Sequence, residues 1–493
     1  MKSIWAPRAL DSDARALLDT EAAEFRRFEQ DWKLVLELGV AKLIVKSDDE
    51  GAADVDGDGI ADEIAEVMEV MWEYHSLCNI LFAFFACLGS DFDDTLSFNE
   101  WAKFVDDFGI ASQKAKYCKR ADMDRLFIAV DTKSAMLGEE QRKQLKEQKP
   151  ASRRKSTLRR SSTLEGGSGS ESGSKPSSPN ASRPDSRGGP GGGNDGGQMA
   201  TIDAIGQSMY GRPASPAKSA TGSDGASQMG VHDTQKKALS RVEFLAALVH
   251  IAIYKYVMTK KEMDVSEGLR RLFSKDLEPK MSSPGFAPPN HFRRAHCYNK
   301  HVSRALEKHV DSLRFAFDAL AAARSVTRDE KKYLGYRVFE DFCKACGLIG
   351  ADVTERDCML CFSWSRMCVC DVSDHVGRVR EANLPFEGFL EALVRLACLK
   401  ALPTDAEIEQ ANCKDAADYL MQLSANDEDA YQALLLERST AWGDEPSHQP
   451  LHRCVVHLVG IVIKSMEESS AGADNLMLTE SEAIGWVRAK IVK

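Results

Sequence analysis

The sequence predicts an all-α fold: paired helix–loop–helix modules in two repeated halves, with one long disordered insertion. Three observations predict it. Apolar residues recur at helical spacing, as in Leu77, Leu81, Phe84 and Leu88 or Leu306, Val310, Leu313 and Phe317, and there is no convincing run of alternating apolar and polar residues. One segment repeats: "LSRVEFLAALVHIAIYK" (Leu239 to Lys255) overlays "LPFEGFLEALVRLACLK" (Leu384 to Lys400) with eight of seventeen positions identical. Between Ser134 and Lys236 the composition collapses into Gly, Ser, Pro and charge, without a Phe, Trp or Cys. Such a stretch buries too little apolar surface to offset its ordering entropy.

A second repeat sets the architecture. "FNEWAKFVDDFGI" (Phe98 to Ile110) matches "YRVFEDFCKACGL" (Tyr336 to Leu348), pairing Phe98 with Tyr336, Trp101 with Phe339, Phe104 with Phe342 and the helix-capping Gly109 with Gly347. Its offset is 238 residues against 145 for the first repeat, so the first half carries 93 extra residues between its signatures. The insertion supplies them and therefore interrupts a module. In chain order, residues 1–72 are N-terminal helices with an acidic loop; 73–133 with 237–260 form the first module pair around the insertion at 134–236. Residues 261–304 read as a linker, 305–402 as the second pair, and 403–493 as a C-terminal helical region with a degenerate helix–loop–helix. A helix–loop–helix of this size cannot cover its own apolar face, so such units come in pairs.

The bulk properties narrow the class. A chain of 493 residues exceeds one core, and a net charge of -11 argues against broad nucleic-acid binding. The longest apolar run, Leu77 to Gly89, is far short of a bilayer span, and the N-terminus has no apolar core typical of a signal. Thirteen cysteines, an odd number at irregular spacing, read as reduced thiols in a cytoplasmic compartment. No nucleotide loop, Ser/His/Asp set or HExxH motif stands out, so a non-enzymatic protein is expected.

Each signature begins with an aliphatic, then a small or polar residue, then an aromatic that opens a helix, as in Leu96, Ser97 and Phe98, followed by Asn99, Glu100 and Trp101. This resembles the second half of an EF-hand loop, where position 8 is the hydrophobic residue that pairs with the neighbouring loop, position 9 an oxygen ligand and position 12 a bidentate Glu. The phrases "LSFNEW" and "FEGFLEALVRLA" are similar to divergent EF-hand proteins of protist and algal flagella. The resemblance implies a calcium-binding or calcium-derived regulatory or scaffold protein that holds partner proteins, including helical segments, through its paired modules. Faces such as Met68, Met71, Phe82 and Phe85 would supply an apolar cleft. The alternative is a calcium-independent structural adaptor of a flagellar, axonemal or other cytoskeletal assembly.

Chemistry separates the loops. On the EF-hand frame, the first module places Gly89, Asp91, Asp93, Thr95, Ser97 and Glu100 at the ligand positions, with Asp94 where the turn Gly belongs. Asp91, Asp93, Thr95 and Glu100 are its candidate ligands. The second module keeps Glu243, its other ligands displaced by the insertion. The third (Thr327, Asp329, Lys331, Tyr333, Gly335, Val338) and fourth (Gly377, Val379, Glu381, Asn383, Pro385, Gly388) offer too few oxygens, and a Lys in the cage repels a cation. The last candidate, with Asn475, Thr479 and Glu482, begins at Ala471 and is expected to be dead as well. The fullest cage is "DVDGDGIADE", with Asp54, Asp56 and Asp58 at positions 1, 3 and 5, Gly59 at the bend and Asp62 at position 9. Ala61 at position 8 and Ala65 at position 12 depart from a standard hand, and only Glu63 and Glu66 lie close; the aspartate order is also similar to thrombospondin type 3 calcium loops. The plain alternative is an acidic loop facing water.

Two further constellations stand apart. Cys343, Cys346, Cys358 and Cys361 form two CxxC pairs, with Cys368 and Cys370 nearby, which invites a zinc reading. Against it, Cys343 and Cys346 replace Val105 and Phe108 of the matching repeat, as small buried hydrophobes do. "RRKSTLRRSST" places Ser156 and Ser162 each two residues after an Arg pair, a phosphorylation pattern or a solvated basic cluster.

Overall fold

The structure, a computed structural model, describes residues 3–45, 61–89, 94–147, 237–281, 286, 288–438, 440, 442, 446, 448–467 and 477–492. They are predominantly helical, and no helix among them is long and apolar enough to cross a membrane. Asp54, Asp56, Asp58, Asp91, Asp93, Ser156 and Ser162 lie outside the described residues, as does the insertion from 148 to 236.

The chain enters through α1 (Ala6–Asp11) and α2 (Glu21–Val35), then a π turn over Leu36–Val40, α3 (Ala41–Ile44) and α4 (Asp62–Glu73). Helices α5 (His75–Ala86) and α6 (Phe98–Asp107) flank the first loop, and α7 (Arg120–Glu147) and α8 (Arg241–Ala252) flank the interrupted one. Between the loops, β1 (Leu96–Ser97) pairs antiparallel with β2 (Ala238–Leu239), Leu96 opposite Leu239. Helix α6 buries Trp101, Phe104 and Val105, the i, i+3, i+4 face of its amphipathic pattern. It stops at Gly109, whose φ of 55° only glycine adopts cheaply, while Ile110 N donates to Val105 O at 3.0 Å. Helix α8 is buried from Glu243 to Ala252, making it the central helix of this half. Around it pack α2, α5 and α9 (Val265–Arg271), and α4 packs on α9.

The second half runs through α10 (Pro289–Phe292), α11 (Lys300–Glu307), α12 (Val310–Ala323), α13 (Tyr336–Ala345), α14 (Glu355–Ser365), α15 (His375–Ala382) and α16 (Phe386–Leu399). Leu334 and Leu384 exchange backbone hydrogen bonds at 2.8 and 2.9 Å, at the positions matching Leu96 and Leu239 in the repeats. Helix α13 ends like α6: Gly347 has φ 65° and Leu348 N donates to Cys343 O at 2.9 Å. Helix α16 is buried over its whole length. The chain finishes with α17 (Asp405–Gln410), α18 (Ala416–Asn426), α19 (Glu428–Arg438), α20 (Leu451–Met466) and α21 (Glu480–Lys490). Helices α12, α14 and α20 cover α16, and α21 lies on α12.

Three features differ from the sequence expectation. Helix α7 runs to Glu147, into the expected insertion, because Met136, Glu139, Gln141, Lys143 and Leu145 are helix formers and the Gly/Ser/Pro bias begins only at Pro150. Within the expected linker 261–304, α9 and the turn after it pack into the first core, since Val265, Leu269, Leu272 and Phe273 recur at helical spacing and are buried there. The N-terminal region serves both cores: Trp5 packs with the second half, its Nε1 donating to Ser303 Oγ at 3.1 Å, whereas Phe28 and Trp32 sit in the first.

Candidate functional site

The first loop shows what its oxygens do. Asp94 has φ 57°, the left-handed conformation its bend requires. Its carboxylate takes a bidentate pair of bonds from Arg366, at 2.9 Å from Nη1 and 2.8 Å from Nη2. Burial pushes this carboxyl up, but the guanidinium outweighs it and holds Asp94 below the ordinary carboxylate range. Glu100 is buried, and its Oε2 accepts from Ser97 N at 2.5 Å in a capping box for α6. Glu243 does the same for Ser240 at 2.5 Å, and Glu482 for Thr479 at 2.9 Å. In each case the hydroxyl residue at position 9 and the Glu at position 12 of the loop frame also satisfy a helix N-terminus. Thr95 is half-buried beside the ladder, and Asp62 opens α4, where a carboxylate suits the helix dipole.

The third and fourth loops are rebuilt. Glu330 accepts from Val326 N at 2.7 Å and Thr327 N at 3.0 Å, closing a short 3-10 turn in which Lys332 pairs with Asp329 at 3.3 Å. The fourth loop contains α15, whose Glu381 is an anchor for the other half. Arg27 Nη2 of α2 and Arg241 Nη1 of α8 each reach Glu381 Oε1 at 2.6 Å, and Arg241 also grips Asp31 at 2.7 and 3.0 Å. Burial raises the Glu381 carboxyl, yet Arg241 and Arg27 bring it down to about 2. With Asp94–Arg366, these pairs tie the first half and α2 to the second.

At this junction lies a cavity of about 130 Å³, bordered by Arg27, His75, Asn79, Arg366 and Cys368. Burial, aided by Arg27, lowers His75 to about 3, so the ring is neutral and accepts from Asn79 Nδ2 at 2.8 Å. Arg27 Nε and Asn79 Oδ1 are buried without a hydrogen-bond partner.

A second ionic cluster fills the centre of α16. Glu391, fully buried, receives Arg293 Nε at 2.9 Å, Arg395 Nη2 at 2.7 Å and Tyr298 Oη at 3.0 Å, with Arg8 3.8 Å away. The i, i+4 pair Glu391 and Arg395 inside an apolar helix was the one sequence signal for it.

The cysteines of the zinc reading sit inside the second core: Cys343 and Cys346 on α13, Cys358 and Cys361 on α14, all buried. The Cys343 thiol is hydrogen-bonded to Cys358, and burial raises Cys343, Cys346 and Cys361 far above their usual value. Zinc binds thiolates, which this apolar setting disfavours. Among the described residues, no group of three or more His, Cys, Asp or Glu could hold a metal ion. The apolar faces expected to receive partners are also occupied: Met71, Phe82 and Phe85 are buried in the first core and Met68 packs against it.

Compared with known proteins, the chain matches no family model, no curated protein and no solved structure. The sequence marks Thr95, Asp62 and Glu100 as candidate ligands and gives no sign of Arg366, Arg241 or Arg27. A lone arginine carries no local sign of a carboxylate hundreds of residues away.

Proposed function

We propose that this chain is a non-enzymatic, calcium-derived scaffold of EF-hand-like module pairs that binds partner proteins. What supports the reading is the pair of short antiparallel contacts, Leu96 with Leu239 and Leu334 with Leu384, at equivalent points of a duplicated sequence. Two adjacent loops joined there, each followed by a helix, is the arrangement that paired ion-binding loops use. Calcium, where retained, would be held by Asp54, Asp56, Asp58 and Asp62 or by Asp91, Asp93, Thr95 and Glu100, and oxygens of this kind suit a hard cation. A second reading, a calcium-independent structural adaptor of a flagellar or other cytoskeletal assembly, draws support from Arg366. Its guanidinium already neutralises the bend residue of the first loop, and Glu100 already caps α6.

Calorimetric titration of the full chain with Ca²⁺ tests the choice. The calcium reading expects saturable heat below roughly millimolar ion, the weak end for such loops. A flat titration leaves the adaptor.

A further inference from the structure

Helix α2 stands apart from the other helices around α8. It is amphipathic, with Ala23, Phe28, Asp31, Trp32 and Val35 buried and Glu21, Arg26, Gln30 and Lys33 in solvent. Its aromatics enter as anchors: Phe28 stacks on Trp32 at 6.1 Å between ring centres, and Phe25 and Phe28 meet Trp72 at 4.9 and 5.5 Å. This is how a separate helix lies in an apolar groove. Yet two of its polar atoms are unsatisfied. Arg27 Nε and Trp32 Nε1 are buried without partners, and the cavity of about 130 Å³ runs along its polar side, beside Glu24 and Arg27. Its polar seam consists of ion pairs, Asp31 with Arg241 and Arg27 with Glu381. Buried polar atoms without partners reduce the free energy that holds an element in place. At its C-terminal end is the π turn Leu36–Val40, where Gly39 takes φ 82°, a hinge open to glycine.

We propose that α2 is a releasable helix occupying, in cis, the groove along α8, and that this groove docks an amphipathic partner helix. That partner carries aromatic or aliphatic anchors at the spacing of Phe25, Phe28, Trp32 and Val35, and an acidic residue that meets Arg241 as Asp31 does. The proposal deepens the scaffold reading, on which it rests, by naming the surface and the helix it fits. Calcium has no part in it.

The test uses the full chain and a labelled synthetic peptide of residues 21–35. Hydrogen exchange followed by mass spectrometry should show the amides of 21–35 opening about a hundredfold faster than those of 243–252, as a local unit does. Trp32→Ala should speed the first set about tenfold further and leave the second unchanged. The peptide should bind the Trp32→Ala chain about tenfold more tightly than the wild type, because the cis competitor is weakened, and a peptide with both Phe28 and Trp32 changed to Ala should not bind. Exchange of α2 and α8 in concert in both chains overturns the proposal. So does a variant that keeps α8 protected but takes up no peptide. Asp31→Asn, which keeps the apolar contacts, is held to the same criteria should Trp32→Ala melt the whole half. A partner recovered from extract that the peptide fails to displace sinks this groove and leaves the scaffold reading standing.

Discussion

Glu391 is the point where one atom change should be felt most. Its carboxylate is fully buried on α16 and faces three guanidiniums, those of Arg293, Arg395 and Arg8. Glu391→Gln preserves the shape but removes the charge and turns an acceptor into a donor aimed at other donors. Burial pushes the native carboxyl up while the arginines bring it from 4.5 to about 2, a difference worth about 3 kcal/mol. Breaking one side of a buried pair independently costs about 3–5 kcal/mol. Both routes predict that urea unfolding at neutral pH, followed by circular dichroism, loses about 3 kcal/mol in the variant. The pH dependence supplies a second criterion. A carboxyl whose folded value lies below its unfolded value stabilises fully above pH 4.5 and loses that contribution as pH falls through about 2. The variant should therefore unfold with a shallower slope than the wild type over that window. A cost under about 1 kcal/mol, or parallel slopes, would refute the reasoning.

Two further outcomes follow from the same geometry. Glu100→Gln should change thermal stability without calcium by less than about 1 kcal/mol, since Gln also completes a capping box, while abolishing any calcium-dependent shift carried by the first loop; a large loss without the ion would mean that the charge does more than cap. His75 is held neutral, with its folded value near 3, so below 6.5 the unfolded chain takes up a proton that the folded chain refuses. Stability should fall from pH 6.5 towards 3 in the wild type and less steeply in His75→Asn, read from melting temperatures across the range; equal slopes would exclude His75 as the cause.

Local chemistry made much of the fold legible. The duplicated stretches carry Leu96, Leu239, Leu334 and Leu384 at equivalent positions, and the chain joins them two by two. Gly109 and Gly347 read as helix stops because a positive φ is a local demand that glycine meets. Glu100 shows where the reading divides. Ser-x-x-Glu spells both the end of a cation loop and a capping box, and only coordinates reveal the carboxylate on Ser97 N.

The sequence by itself determined the helical class, the repeats and the helix ends, since periodicity, capping residues and glycines act within a few residues of where they are written. The tertiary structure alone decided that Arg366 answers Asp94, that Arg241 and Arg27 share Glu381, that α9 packs into the first core and that α2 covers α8. Those contacts join residues far apart in the chain, and a charge or an apolar face has no local mark of its partner. Their energies exist only once the cores have closed and excluded water around them.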